Sequence, residues 1–118
     1  MKKEKIISPL IIVSILLIVG IVIYFKNNPT NQTPEALARC IGEKSTLYTL
    51  STCFHCKDQE AMFGENVEIL NIIVCDKDET SRQSCIDAEI QATPTWIINN
   101  QSYVGVQSIE NLKKITNC

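Results

Sequence analysis

Residues 51–60, Ser-Thr-Cys-Phe-His-Cys-Lys-Asp-Gln-Glu, constrain this chain most. Cys53 and Cys56 stand two residues apart, with the only histidine, His55, between them. Residues 46–50 are rich in β-formers and read as a strand. Residues 56–63 favour a helix, and Gly64 supplies its end. A strand, then two cysteines, then a helix is the arrangement a dithiol redox site needs. The helix N-terminus offers free N–H groups and a partial positive charge, which stabilise a thiolate. On this reading Cys53 lies just before the helix and is the more exposed thiol. Cys56 lies inside the first turn, close enough to resolve a mixed disulfide. A protonated His55 favours the Cys53 anion and Lys57 adds a weaker field, so the Cys53 pKa is expected below the free value of about 8.5.

Three other uses of paired cysteines compete. Zinc takes four ligands, and here eighteen residues separate Cys56 from Cys75 and nine separate Cys75 from Cys85. That downstream pair lacks the close spacing of zinc modules. Haem attachment wants histidine directly after the second cysteine, where this chain has Lys57. A purely structural Cys53–Cys56 bridge closes so short a loop that it adds little stability. Exchange chemistry is the reading preferred, with no metal and no cofactor required. A Cys/His metal-binding module on Cys53, Cys56 and His55 is the alternative from a different class.

The compartment follows from the N-terminal quarter. Residues 6–25 form an uncharged run of twenty, and at helical rise such a run spans about 30 Å, the hydrocarbon thickness of a bilayer. Lys2, Lys3 and Lys5 precede it and Lys26 follows, so the positive-inside bias places the N-terminus in the cytoplasm and the remainder outside. A cleaved signal peptide is the competing reading, but residues 24–28 offer no small-residue cleavage site. The expected division is a cytoplasmic tip and membrane anchor over 1–26, a polar linker over 27–33 and a globular domain over 34–118. Residues 1–26 hold four lysines and one glutamate, so of the formal total of −2 they carry +3 and residues 27–118 carry −5. No basic patch points to nucleic acid. All six cysteines, at 40, 53, 56, 75, 85 and 118, fall in the exported part, where an even count implies disulfides. Sequence alone allows 15 pairings of six cysteines.

Along the domain, Thr33 is expected to cap a short helix that has Pro34 at its first position and stops at Gly42. Residues 67–74 read as a second strand, apolar enough to be central. Residues 79–90 can form a helix, 95–98 a third strand, and 102–106 a fourth, joined to the third by the Asn99-Asn100 turn. Ser108 caps a last helix with an apolar face at Ile109, Leu112 and Ile115. From residue 46 onward the order is β-α-β-α-β-β-α. Pro94 comes directly before the third strand; a cis Thr93–Pro94 bond would bring its backbone across from the dithiol, with an edge open to a bound peptide. Tyr48, Phe63 and Trp96 read as core. Asn31 and Asn100 begin matches to the N-glycosylation pattern.

From about residue 37 to Cys118 the chain resembles thioredoxin-fold proteins. It is more similar to the thioredoxin-like domains fused or partnered to homologues of vitamin K epoxide reductase. The resemblance is carried by LYTLSTCFHCKDQEAMFG at 47–64, IIVCD at 72–76, Cys85, TPTWIINNQSYVGVQSIENL at 93–112 and Cys118. It implies a thioredoxin fold preceded by a single transmembrane helix. It also implies a membrane-anchored, extracytoplasmic thiol-disulfide oxidoreductase that oxidises exported cysteine-containing proteins. A quinone-linked membrane oxidoreductase would recharge it. Cys53 would be the nucleophile and Cys56 the resolving thiol, with Phe54, His55, Thr93 and Pro94 tuning reactivity and substrate access. Cys75–Cys85 and Cys40–Cys118 would be structural disulfides. A reductase or isomerase fed by a transmembrane electron donor is the alternative within the same class. The chain departs from the pattern at Thr52, where tryptophan is usual, at Phe54, where proline is usual, and at Thr93, where tyrosine is frequent. No acid lies between Lys44 and Cys53, although conventional thioredoxins keep a buried carboxylate there.

Overall fold

A computed structural model describes residues 8–27 and 33–118. The N-terminal lysines, residues 28–32 of the expected linker and the pattern starting at Asn31 lie outside the described residues. The chain divides into two compact units, Met1–Thr30 and Asn31–Cys118. The first holds one helix, α1 (Pro9–Asn27), long and apolar enough to cross a membrane. Pro9 stands at its first position, where a missing N–H is harmless.

The second unit is a mixed α/β structure on one four-stranded sheet. Its elements are α2 (Glu35–Lys44), β1 (Ser45–Thr49), α3 (Phe54–Ala61), β2 (Ile72–Val74), α4 (Glu79–Asp87), β3 (Thr95–Ile98), β4 (Gln101–Val104) and α5 (Ile109–Thr116). The spatial strand order is β2-β1-β3-β4. β1 pairs in parallel with β2 and antiparallel with β3, and β3 with β4 antiparallel. Asn99 and Asn100 both take positive φ, 51° and 61°, as a two-residue hairpin turn requires. The core gathers Ala38 and Ile41 of α2, Leu47 of β1, Trp96 and Ile98 of β3 and Leu112 of α5, with Phe63 and Leu70 from the connection between α3 and β2. Leu47 lies opposite Trp96 in the register, and the Phe63 and Trp96 rings meet at 6.0 Å between centroids.

Several boundaries differ from expectation, each for a local reason. Thr33 is not a cap: its N–H and hydroxyl both donate to the Met62 carbonyl, at 3.3 and 2.8 Å. Pro34 holds the cap position without a side-chain bond. α2 does not stop at Gly42 but runs on to Lys44. Gly42 serves close approach instead, since a Cβ there would sit 2.8 Å from the Ile69 carbonyl oxygen. The expected strand over 67–74 is extended only at Ile72–Val74, while Gly64–Ile69 is a 3-10 helix. An unbroken apolar run carries no alternation to tell a strand from a buried helical turn. Here Asn66 donates to the Thr33 carbonyl at 2.8 Å, and Val67 packs on the core from within the turn. α4 ends at Asp87, where the Ile90 N–H closes on the Cys85 carbonyl at 3.0 Å and Glu89 turns left-handed at φ 54°. β4 ends at Val104, where Gly105 takes φ +90°, although its N–H still donates to the Pro94 carbonyl at 2.8 Å.

The C-terminal edge of the core is closed by several means. α2 packs against α5 and against the 3-10 segment. Ser108 caps α5, its hydroxyl accepting the Asn111 N–H at 3.1 Å. At the other end Asn117 turns left-handed, and the Cys118 N–H reaches back to the Lys113 carbonyl at 2.9 Å. Lys44 donates to the Thr116 and Asn117 carbonyls at 3.2 and 3.4 Å, a cation at the negative end of that helix. The Cys40–Cys118 disulfide joins α2 to the second residue past the end of α5, across a sequence separation of 78.

Candidate functional site

The β1 strand delivers the chain to a turn at Leu50–Thr52, and α3 begins directly after it. Cys53 is the N-cap of α3. Its backbone is extended, its N–H closes the turn on the Leu50 carbonyl at 3.3 Å, and its sulfur accepts the Cys56 N–H at 3.1 Å. The helix therefore starts two residues earlier than expected, because the first cysteine itself satisfies one of the free amides of the first turn. Cys53 and Cys56 are disulfide-bonded with Cα atoms 5.2 Å apart. Cys53 is half-buried and Cys56 has no exposure at all.

Phe54 projects between the two cysteines and is 87% exposed. His55 is exposed as well, and its Nδ1 lies 3.5 Å from the Asp58 carboxylate one helical turn on. Pro94 is buried and the Thr93–Pro94 peptide is cis; Thr93 is half-buried. The Pro94 carbonyl accepts the Gly105 N–H at 2.8 Å, and Val104 and Val106 on either side of that glycine are exposed. The remaining cysteines pair as Cys75–Cys85, between the end of β2 and α4, and Cys40–Cys118. Among the described residues no group of three or more His, Cys, Asp or Glu side chains is gathered as a metal site.

Gln59 is fully buried one turn beyond Cys56. Its Oε1 accepts the Trp96 indole N–H at 3.0 Å and the Gln107 N–H at 2.7 Å, and its Nε2 donates to the Gln107 carbonyl at 3.0 Å. One amide thus ties the dithiol helix to β3, two residues beyond Pro94, and to the segment that enters α5. The signal was in the sequence: Cys56, Gln59 and Phe63 share one helical face, and a glutamine in an apolar stripe needs buried partners. The indole of a core tryptophan needs an acceptor for the same reason.

Asp76 also escaped the sequence reading. It follows Cys75 at the end of β2, and its carboxylate accepts both the N–H of Ser51, at 2.9 Å, and the Ser51 hydroxyl. The hydroxyl first and the N–H second hold the Asp76 carboxyl below the ordinary carboxylate range. Asp78 is likewise lowered, by the N–H of Ser81 that it caps at the start of α4. A carboxylate directly after a strand-ending cysteine is a weak cue, because nothing local reveals that its partner is 25 residues back. The strand before the dithiol carries no acid; its buried polar side chain next to the turn is Thr49, whose hydroxyl has no hydrogen-bond partner.

The arrangement has the parts of a thiol-disulfide exchange site: a half-buried cysteine at a helix start, a buried second cysteine one turn inside and exposed residues around them. No family model matches the chain. Thiol-disulfide oxidoreductase LTO1 of Arabidopsis thaliana is 32% identical over 105 residues, which take in 79% of this chain and 27% of that relative. The chain spans little more than a quarter of that relative's length. The similarity supports an oxidoreductase acting on disulfides.

Proposed function

We propose that the chain is a membrane-anchored protein-disulfide oxidoreductase whose Cys53–Cys56 disulfide oxidises exported cysteine-containing proteins. The observation that carries this reading is the half-buried Cys53 at the N-cap of α3, disulfide-bonded to a buried Cys56 whose N–H donates to the Cys53 sulfur. A substrate thiolate attacks the Cys53 sulfur, forming a mixed disulfide and releasing Cys56 as a thiolate. A second substrate thiolate attacks the substrate sulfur of that mixed disulfide. It leaves with a new disulfide, and Cys53 leaves as a thiolate. Two electrons pass from substrate to the dithiol, and the substrate's two protons end on Cys53 and Cys56 or in water. The helix N-terminus stabilises the Cys53 thiolate as a leaving group, which favours oxidation of the substrate.

The element order and the mixed four-stranded sheet support a thioredoxin fold, and on this reading Thr93 and Pro94 are the substrate-backbone contact. Phe54, exposed between the cysteines, is the natural contact for a partner, and His55 tunes the site beside it. The apolar α1 supports anchoring through residues 6–25, with the N-terminus cytoplasmic and residues 27–118 on the extracytoplasmic side. The dithiol must pass its electrons on after each turnover. A quinone-linked membrane oxidoreductase of the vitamin K epoxide reductase type, working at the same membrane face, fits that need.

The test uses the full chain in its own membranes. Cys56→Ser is expected to accumulate mixed disulfides through Cys53, both with exported proteins and with one integral membrane protein. Cys53→Ser should accumulate none. The absence of any trapped species with Cys56→Ser would overturn the exchange reading. The reduction potential of the Cys53/Cys56 couple then sets direction: a value towards about −120 mV agrees with oxidation, and one towards about −270 mV would reassign the chain as a reductase.

A further inference from the structure

The Cys75–Cys85 disulfide takes no part in the exchange chemistry above, yet its surroundings lead back to the dithiol. The Cys75 N–H donates to the Thr49 carbonyl at 2.8 Å, which continues the β1–β2 pairing beyond Thr49↔Val74. The next residue, Asp76, spends both carboxylate oxygens on Ser51, one on its N–H at 2.9 Å and one on its hydroxyl. Ser51 stands two residues before Cys53, inside the turn that the Cys53 N–H closes on Leu50. A carboxylate that engages one residue through two bonds fixes that residue's orientation as well as its position. The disulfide pins the strand end that carries the carboxylate to α4.

We infer that Asp76, held in place by the Cys75–Cys85 disulfide, is a positioning residue that sets the oxidising power of the Cys53–Cys56 couple. The inference rests on the exchange reading. Two effects act in the same sense. The clamp holds the turn in the geometry in which the Cys53–Cys56 disulfide is closed, so it favours the oxidised state. The carboxylate also places a negative charge on the residue two before Cys53, and a negative charge disfavours a thiolate there. Both effects make the couple less oxidising than the helix N-terminus alone would make it. The acid following Cys75 therefore moderates what the cap of α3 provides, and the second disulfide keeps that acid in register.

The experiment equilibrates purified full-length protein with mixtures of reduced and oxidised glutathione and counts Cys53 and Cys56 thiols by alkylation. Asp76→Ala is expected to move the equilibrium towards the dithiol by about tenfold, which is about 30 mV for a two-electron couple. Ser51→Ala removes the hydroxyl bond alone and should move it by a smaller factor in the same direction. The Ser51→Ala, Asp76→Ala double variant should go no further than Asp76→Ala, because both act through one contact. Asp76→Asn keeps an acceptor for the Ser51 N–H without the charge and should fall between wild type and Asp76→Ala. If Asp76→Ala leaves the equilibrium within twofold of wild type, whatever it does to thermal stability, Asp76 does not set the couple and the inference is overturned. Failure of Cys56→Ser to trap partners would instead remove the exchange reading beneath it, so the two failures are distinguishable.

Discussion

The two ends of the domain use the same bond in opposite ways. At one end Cys53–Cys56 closes a separation of three residues, on a turn with Phe54 and His55 in solvent. At the other, Cys40–Cys118 closes a separation of 78, flanked by the buried Ala38, Ile41 and Leu112 and by a lysine on the last carbonyls of α5. The chain-entropy estimate gives about 4.5 kcal/mol for the long loop and about 2 kcal/mol for the short one. A short loop can be opened and closed repeatedly without unfolding the protein around it, whereas a long loop holds the ends of the fold together. Replacing Cys40 and Cys118 by Ser should therefore cost most of that larger figure in a urea titration. Replacing Cys53 and Cys56 should cost less than half as much. Equal losses would mean that the dithiol end is as structural as the clamped end, and the contrast would fail.

Gln59 sharpens the contrast, because the dithiol end is open only at its surface. Beneath the exposed turn, one buried amide holds α3, β3 and the entry to α5 together. Gln59→Leu keeps the volume and leaves the Trp96 indole and the Gln107 N–H and carbonyl without partners. The expected loss is about 2–4 kcal/mol, with a shift in Trp96 fluorescence as the indole loses its acceptor. A loss under about 0.5 kcal/mol would mean that these groups find other partners, and α3 would then be less firmly seated than its exposed tip requires.

At the clamped end the tightest point is Gly42. A Cβ there would meet the Ile69 carbonyl oxygen at 2.8 Å and the Leu70 Cα at 3.2 Å, both backbone atoms. Alanine raises helix propensity by about 1 kcal/mol over glycine, so on an open helix Gly42→Ala would stabilise. Against the 3-10 segment it is expected to cost about 1–2 kcal/mol net. A measured gain would show that α2 and the 3-10 turn separate easily, and would place the yielding part of the domain at this end.

The parts legible in the sequence are those whose signal is local. The strand-cysteine-helix order around Cys53 shows in side-chain type alone, and the hairpin shows in Asn99-Asn100. The third strand at residues 95–98 and the Ser108 cap were read with their observed positions. What was misread depends on distant partners. Gly42 looked like a helix stop because its packing partner, Ile69, is 27 residues away in a turn that itself read as strand. Thr33 looked like a cap because the Met62 carbonyl that claims it lies on another element. Asp76 and Ser51 carried no mark of each other.

The smallest expected effect separates the ends by acid. Asp76 and Asp78, both near the dithiol end of the sheet, are held below the ordinary carboxylate value by hydrogen bonds from Ser51 and Ser81. A carboxylate whose folded pKa is depressed contributes stability that is fully present above its unfolded value, about 3.9. That contribution is lost as pH falls through the folded value, because the unfolded chain then binds more protons. The Cys40–Cys118 disulfide takes up no proton in this range. Urea midpoints measured from pH 6 down to pH 2 should therefore fall less steeply for the Asp76→Asn, Asp78→Asn double variant than for wild type, with the two curves converging at the acid end. In the Cys40→Ser, Cys118→Ser variant the midpoints should drop by a constant amount across the same range, parallel to wild type. Parallel curves for the carboxylate variant would mean that neither serine contact is worth more to the folded state than to water, and the acid sensitivity would have to be sought in other carboxylates.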